Sequence, residues 1–473
     1  MPPMKKLFVF LFPAFLFFAC QNTEISNAVK ITGTIENPIS ENATIRYGDS
    51  THTAEVVDGK FVLDFELTKP EMITFKHGSE SGGLYLEPGD NVTLTLNPKE
   101  FDETLRLAGE GAEESNYLLA KYLLNEKYNE KMKETYSSTP AEFAASMDKI
   151  KSENEQHLDT YSKANQNMNS DFITNEKSSL LYSWATDKVN YPAYYPYYAG
   201  ADAPELELED DYLSFMDKID LNDETAFENN RQYAQMVNAY INGMGQKAGK
   251  GLDNLAGMFE AANDKIKSDQ IKSGILSKTL TNFLNYNDAT GAEKYVEMFN
   301  KMSTDEKQKK AIGDTYATAM KLLKGKPAPT FNYTNTKGEA IPLENLKGKS
   351  VYVDVWATWC GPCKREIPHL KELEAQYHEN DDIVFMSVSI DKMEDKDKWL
   401  KMVEEKELSG VQLMADNDWK SSICKDYAIR GIPRFLLIDK DGNIMDKNAP
   451  RPSSKEIKEV MADLAQPKIT SMK

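Results

Sequence analysis

The stretch from Val351 to Cys363 constrains this chain more than any other. The run Val351 to Trp356, apolar except for Asp354, reads as a buried strand, and Lys364 to Tyr377 reads as the helix that follows it. Between them stands Cys360-Gly361-Pro362-Cys363, preceded by Ala357-Thr358-Trp359. Two thiols separated by two residues at a strand-to-helix junction can close a short disulfide and reopen it, which is redox chemistry. Cys360 falls at the helix N-terminus, where unpaired N–H groups and the helix dipole favour a thiolate. It is therefore the expected attacking sulfur, and Cys363, one turn inside the helix, the expected resolving one. Pro362 suits the first helical turn, because its missing N–H would have no intrahelical partner there. A structural disulfide and half of a zinc site are the other readings of such a pair. A tetrahedral zinc site needs further ligands, and the sequence has no second CxxC and no close Cys/His pair. The five histidines, at 52, 77, 157, 369 and 378, lack metal-ligand spacing. No metal or other cofactor is expected.

Downstream, Arg430-Gly431-Ile432-Pro433-Arg434 precedes a second apolar strand, Phe435 to Asp439, and the turn Asp441-Gly442. A proline just before a buried strand removes a ladder donor and needs a reason. The spacing from Cys363 to Pro433, the strand Ile383 to Ile390 between them, and Trp359, Gly361, Pro362 and Pro368 together resemble the thioredoxin fold. The resemblance implies that Pro433 is a cis-proline lying against the CxxC pair. It also implies that the Ile432 backbone pairs with an extended substrate segment and that Trp359 shields one side of the site.

Asp354 lies inside an apolar strand, where an unpaired carboxylate is costly and its pKa should rise. The resemblance makes it the general base that takes the Cys363 proton; the alternative is a strand-edge aspartate facing water. Thioredoxins often pair this aspartate with a lysine on the neighbouring strand, whereas Phe385-Met386-Ser387-Val388 offers Ser387.

The segment Gly325-Lys326-Pro327-Ala328-Pro329 reads as a linker into this domain. The entry segment Phe331 to Leu346 and the insertion Asp391 to Glu407 resemble the TlpA/ResA type of extracytoplasmic thioredoxin. Some members carry a glutamate just after the central strand; Ile390-Asp391-Lys392 offers Asp391 instead. Cys424 falls in an expected helix, Trp419 to Tyr427, and reads either as a buried inert thiol or as a regulatory third thiol.

At the other end, Lys5-Lys6 is followed by the apolar run Leu7 to Ala19 and then Cys20. The run is short for a membrane span but fits a signal-peptide core. A cysteine directly after that core resembles a bacterial lipoprotein signal of the Bacteroidetes kind, with Cys20 as the lipidated first residue. Phe17 departs from the strict pattern. An uncleaved anchor and a soluble secreted protein are the alternatives. Lipidation would tether the protein to one membrane leaflet.

The length of 473 residues suggests about three domains after the signal. Residues 28–110 alternate apolar and polar side chains, as in Lys30 to Ile35 and Ala43 to Tyr47, and Asp58-Gly59 is a hairpin signal. This region reads as a β-sandwich and, through Leu86-Glu87-Pro88-Gly89-Asp90, resembles the β-domain fused to thioredoxin modules in Bacteroidetes lipoproteins. Residues 113–325 read as helical, with Tyr233, Met236, Val237, Tyr240, Ile241 and Met244 on one face. Tyr191 to Tyr198 holds two prolines and five tyrosines and is expected to be an inter-helix loop, packed on the helices or offered to a partner or glycan.

The expected architecture is thus a signal peptide at 1–19, a β-sandwich at 28–110, a helical region at 113–325 and an α/β thioredoxin-like domain at 326–473. A net charge of −19 and the lack of a basic stripe argue against a nucleic-acid partner. The resemblance implies a membrane-tethered thiol–disulfide oxidoreductase of the cell envelope, facing the periplasm. Its partners would be disulfide-containing envelope proteins and an upstream membrane or periplasmic electron donor. Gly-Pro between the cysteines resembles reducing members of the family. An envelope assembly lipoprotein with an accessory redox module, and a disulfide isomerase, are the rival functions.

Overall fold

The computed structural model describes residues 26–200 and 203–465, so the expected signal segment 1–19 and Cys20 lie outside the described residues. Two compact units emerge, one built on residues up to 184 with 194–207, the other on 185–193 with the chain from 208 onward.

The first unit opens with β1 (Ala28–Ile35), β2 (Asn42–Tyr47), β3 (Ser50–Glu55), β4 (Lys60–Glu66), β5 (Glu71–His77), β6 (Glu80–Leu86), β7 (Asn91–Leu96) and β8 (Arg106–Glu110). They form two four-stranded sheets, ordered β4-β1-β7-β8 and β3-β2-β5-β6. Strict alternation of burial along β1, β4 and β7 turns every second side chain into one shared core, where Phe61 stacks on Phe75 of the other sheet. Asp58 and Gly59 both adopt positive φ, 49° and 72°, as a tight two-residue turn between Val57 and Lys60 requires. Helix α1 (Phe101–Thr104) lies between β7 and β8, and α2 (Glu113–Asn129), α3 (Met132–Tyr136), α4 (Pro140–Ala164) and α5 (Ser170–Ala199) follow.

The segment Tyr191 to Tyr198 is not a loop: α5 runs straight through Pro192 and Pro196. Proline at 192 removes the N–H that would bond the Lys188 carbonyl one turn back. The Tyr212 hydroxyl donates to that same carbonyl at 3.0 Å and replaces the missing bond.

The second unit continues with α6 (Glu224–Asn229), α7 (Arg231–Ala248), α8 (Leu252–Lys265), α9 (Asp269–Tyr286), α10 (Glu293–Met302) and α11 (Glu306–Lys321). On α7, Tyr233, Met236, Val237, Tyr240 and Ile241 are buried, as the helical period requires. Gly245 and Gly257 let α7 and α8 touch at backbone distance, since a Cβ at Gly257 would stand 3.1 Å from the Gly245 Cα.

A seven-stranded sheet completes this unit. Its strands are β9 (Asn332–Asn335), β10 (Ala340–Pro342), β11 (Ser350–Trp356), β12 (Ile383–Ser389), β13 (Val411–Met414), β14 (Arg434–Ile438) and β15 (Ile444–Asp446), in the order β10-β9-β13-β12-β11-β14-β15. Helices α12 (Gly361–Tyr377), α13 (Lys396–Glu405), α14 (Ser422–Asp426) and α15 (Glu456–Ala465) accompany it. β11 lies parallel to β12 and antiparallel to β14. Its residues are buried on both faces: Val351, Val353 and Val355 join one apolar cluster, Tyr352 another. The expected helix from Trp419 to Tyr427 is instead a 3₁₀ turn, Asp418–Lys420, and the short α14, because Ser421 is extended and starts a new helix. The molecule therefore has the multidomain architecture expected of it: a β-rich start, a helical middle and a C-terminal sheet-and-helix domain.

Candidate active site

The site begins where β11 runs out. Trp356 is the last strand residue, the turn Ala357-Thr358-Trp359 changes direction, and Cys360 becomes the N-cap of α12. Its Sγ accepts the N–H of Cys363 at 3.1 Å, with Pro362 in the first turn. The two cysteines are joined as a disulfide with Cα atoms 5.3 Å apart, so the structure is the oxidised state. Both are buried, at 4% and 3% exposure, within the apolar cluster that also holds Trp356 and is flanked by Ile432.

Asp391 holds the turn in place. It is fully buried and accepts from Thr358 N at 2.9 Å, Thr358 Oγ1 at 2.7 Å and Ser389 Oγ at 2.6 Å. From the sequence Asp391 is only a stand-in for a family glutamate, and Thr358 and Ser389 carry no expected role. The signal available was a Ser-x-Asp motif at the end of a buried strand.

The Ile432–Pro433 peptide bond is cis. Val355 pairs with Arg434 across β11 and β14, which sets Pro433 opposite Trp356 at the strand end leading to Cys360. Trp359 is 54% exposed, and its ring packs at 6.2 Å on that of Trp419, which the sequence reading did not single out.

Asp354 does not face water from a strand edge, since β11 is flanked on both sides. It pairs across the sheet with Ser387 and shares a cavity of about 10 Å³, room for about one water, with Ile367, Leu370 and Glu374 of α12. Its Oδ1 has no hydrogen-bond partner among the described residues. Burial, and after it the nearby Glu366 and Glu374 carboxylates, push its pKa up to about 8. The structure thus sets Asp354 beside the helix that carries Cys363. Cys424 is a buried free thiol whose pKa burial raises, and His369 is an exposed residue of α12.

Two cations went unnoticed in the sequence. Arg434 is buried with its guanidinium 4.4 Å over the Tyr286 ring, and Nη1 reaches the Asn285 and Lys447 carbonyls at 3.4 Å. Lys447, also buried, donates to the Leu284 carbonyl at 2.6 Å. Together they satisfy the last turn of α9, whose open carbonyls attract positive charge. Burial, and then the neighbouring Arg434 charge, lower the Lys447 pKa to about 8. Nothing local in the sequence announces this contact.

Among the described residues no group of three or more His, Cys, Asp or Glu side chains is placed to hold a metal ion. The arrangement suits thiol–disulfide exchange: a sulfur capped by backbone N–H, a second sulfur one turn on, and a carboxyl able to exchange a proton near neutral pH.

The Redoxin family model matches residues 323–464, the segment holding all of these side chains except those of α9. The thiol-disulfide oxidoreductase ResA of Bacillus cereus is 33% identical over 132 residues, covering 28% of this chain and 73% of that relative. ResA of Bacillus anthracis is 31% identical with the same coverage, 28% and 73%. Among solved structures, the thioredoxin domain of a thiol-disulfide oxidoreductase from Bacteroides vulgatus is similar with 26% identity and a TM-score of 0.28, over 31% of this chain and 99% of that one.

Proposed function

The chain belongs to the ResA family of thiol–disulfide oxidoreductases, and from that premise we propose that it reduces disulfides of envelope proteins through Cys360 and Cys363. The observation that carries this reading is the capping of α12 by Cys360 Sγ, which accepts the Cys363 N–H at 3.1 Å. In the reduced protein the same N–H and the helix dipole favour a Cys360 thiolate.

The thiolate attacks one sulfur of a substrate disulfide. The substrate S–S bond breaks, its second sulfur leaves as a thiolate and takes up a proton, and a mixed disulfide forms on Cys360. Asp354 takes the Cys363 proton, and the Cys363 thiolate attacks Cys360 Sγ. The first substrate sulfur leaves, and Cys360 and Cys363 are left joined as they stand here. Two electrons have passed to the substrate, and a dithiol donor must return them before the next cycle. Ile432 offers its backbone to the substrate chain, Pro433 shapes that edge, and Trp359 shields the sulfur.

The chain acts outside the cytoplasm, tethered by a lipid on Cys20. Among the described residues no helix is long and apolar enough to cross a membrane.

Cys363→Ala tests the reading, because it removes the resolving sulfur and strands substrates on Cys360. Disulfide-linked envelope proteins should be recovered from this variant and released by reductant, and none from a variant lacking both cysteines. A partner retained equally well without either cysteine would instead favour an assembly role.

A further inference from the structure

A cavity of about 660 Å³ opens between α7, α8 and α9, within the size range of ligand sites. Asn238, Asn242, Asn254 and Asn282 line it, with an apolar floor that includes Phe283. Among the described residues Lys250 is the one charged side chain on its wall, in a chain of net charge −19. Such a lining, mostly side-chain amides, suits a ligand rich in hydrogen-bonding groups. Thr279 of α9 lines it too.

Tyr286 stands at the junction between this cavity and the redox site. It lines the cavity, lies under the Arg434 guanidinium, and its hydroxyl is 3.6 Å from where a side chain at Gly431 would begin. Gly431, Ile432, Pro433 and Arg434 are consecutive, and Ile432 packs against the cluster that contains Cys360. Tyr286 thus stands between the cavity and the loop beside the reactive sulfurs, touching both.

We propose that this cavity binds an uncharged, extended stretch of the substrate polypeptide lying to one side of its target cysteine. The inference rests on the function proposed above, in which the Ile432 backbone holds the substrate chain. Every residue of an extended peptide presents an N–H and a C=O, and a side-chain amide both donates and accepts, so asparagines can meet either group. Phe283 and the rest of the floor take the small apolar side chains between them. The helical region thereby selects unfolded or flexible substrates over compact ones.

The test uses the full-length, pre-reduced protein and two probes that release the yellow thiolate 2-nitro-5-thiobenzoate when attacked. One is a peptide of Gly, Ser and Thr with a central cysteine in mixed disulfide with that group; the other is cysteine carrying the same group. Wild-type protein should react faster with the peptide. Asn242→Leu/Asn282→Leu should lower the peptide-to-cysteine rate ratio by about tenfold, the scale of two lost neutral hydrogen bonds. Thermal melting checks the fold, and the single variant Asn282→Leu, at an exposed position, serves if the double variant melts early.

Equal wild-type rates with the two probes, or an unchanged ratio in the folded variants, would overturn the inference and leave the proposed function standing. Maltohexaose binding lost in the variants with the peptide ratio intact would overturn it in favour of a glycan site. If neither probe reacts with wild-type protein, the proposed function itself fails and the inference falls with it.

Discussion

The backbone N–H of Cys363 donates to Cys360 Sγ over 3.1 Å, so the first sulfur of the pair caps the helix that carries the second. The relationship is asymmetric. Cys360 caps the N-terminal, partly positive end of α12 and accepts one of its free N–H groups, while Cys363 lies within the first turn and supplies that N–H.

That asymmetry predicts the order of reaction. In the reduced protein, iodoacetamide at neutral pH should alkylate Cys360 before Cys363, by on the order of tenfold, the scale of a favourable helix-terminus charge effect. Peptide mapping after brief labelling measures the ratio. Faster labelling of Cys363 would reverse the two roles.

Asp354 predicts a pH dependence. Its folded pKa, raised to about 8 mainly by burial, lies above the unfolded value of 3.8, so the folded state holds a proton that the unfolded chain loses. Stability should therefore fall as pH climbs from about 4 to about 8, and level off above. Asp354→Asn should flatten that slope and stabilise the protein at pH 8 by on the order of a few kcal/mol. The same variant should slow the resolution of mixed disulfides and lose the rise of that step toward pH 8. Melting curves and single-turnover kinetics across this range check both halves.

Asp391→Ala leaves Thr358 N–H, the Thr358 hydroxyl and the Ser389 hydroxyl without their acceptor. Charge-assisted bonds of this kind in a buried site predict a loss of about 2–4 kcal/mol. The turn before Cys360 should loosen, so the alkylation rate of reduced Cys360 should change along with the denaturant midpoint. An unchanged midpoint would show that the turn holds its shape without this carboxylate.

Lys447 has the opposite sign. Its folded pKa, lowered to about 8 by burial and by Arg434, lies below the ordinary 10.5, so the unfolded chain binds the extra proton between those values. Stability should rise as pH increases from about 8 to about 10.5. Lys447→Met should abolish that rise, measured by urea unfolding at pH 8 and pH 10.

Cys20→Ser should release the protein from membranes while leaving its disulfide reduction in solution intact. Membrane retention of the variant, followed by fractionation, would point to an uncleaved anchor.

The parts of the site legible in the sequence are those whose chemistry is local. A strand, two thiols with one spacing and a helix start fall within Val351 to Tyr377, and all of their constraints act over a few residues. The alternation in β1 and β4 is equally local, because a strand's faces are set by a period of two. The tyrosine and proline run misled for the complementary reason. Proline's cost to a helix is local, but its remedy at Lys188 comes from Tyr212, beyond the end of the helix.

By itself the sequence determined the class of chemistry, the order of the β, helical and α/β regions, and an aspartate under desolvation, since residue type and spacing dictate each. Only the tertiary structure decided that Asp391 grips Thr358, that Trp359 leans on Trp419, and that Arg434 and Lys447 close the end of α9. These are contacts between groups far apart along the chain. Each is selected by the need to satisfy buried polar groups once the core has formed, and no local pattern encodes that need.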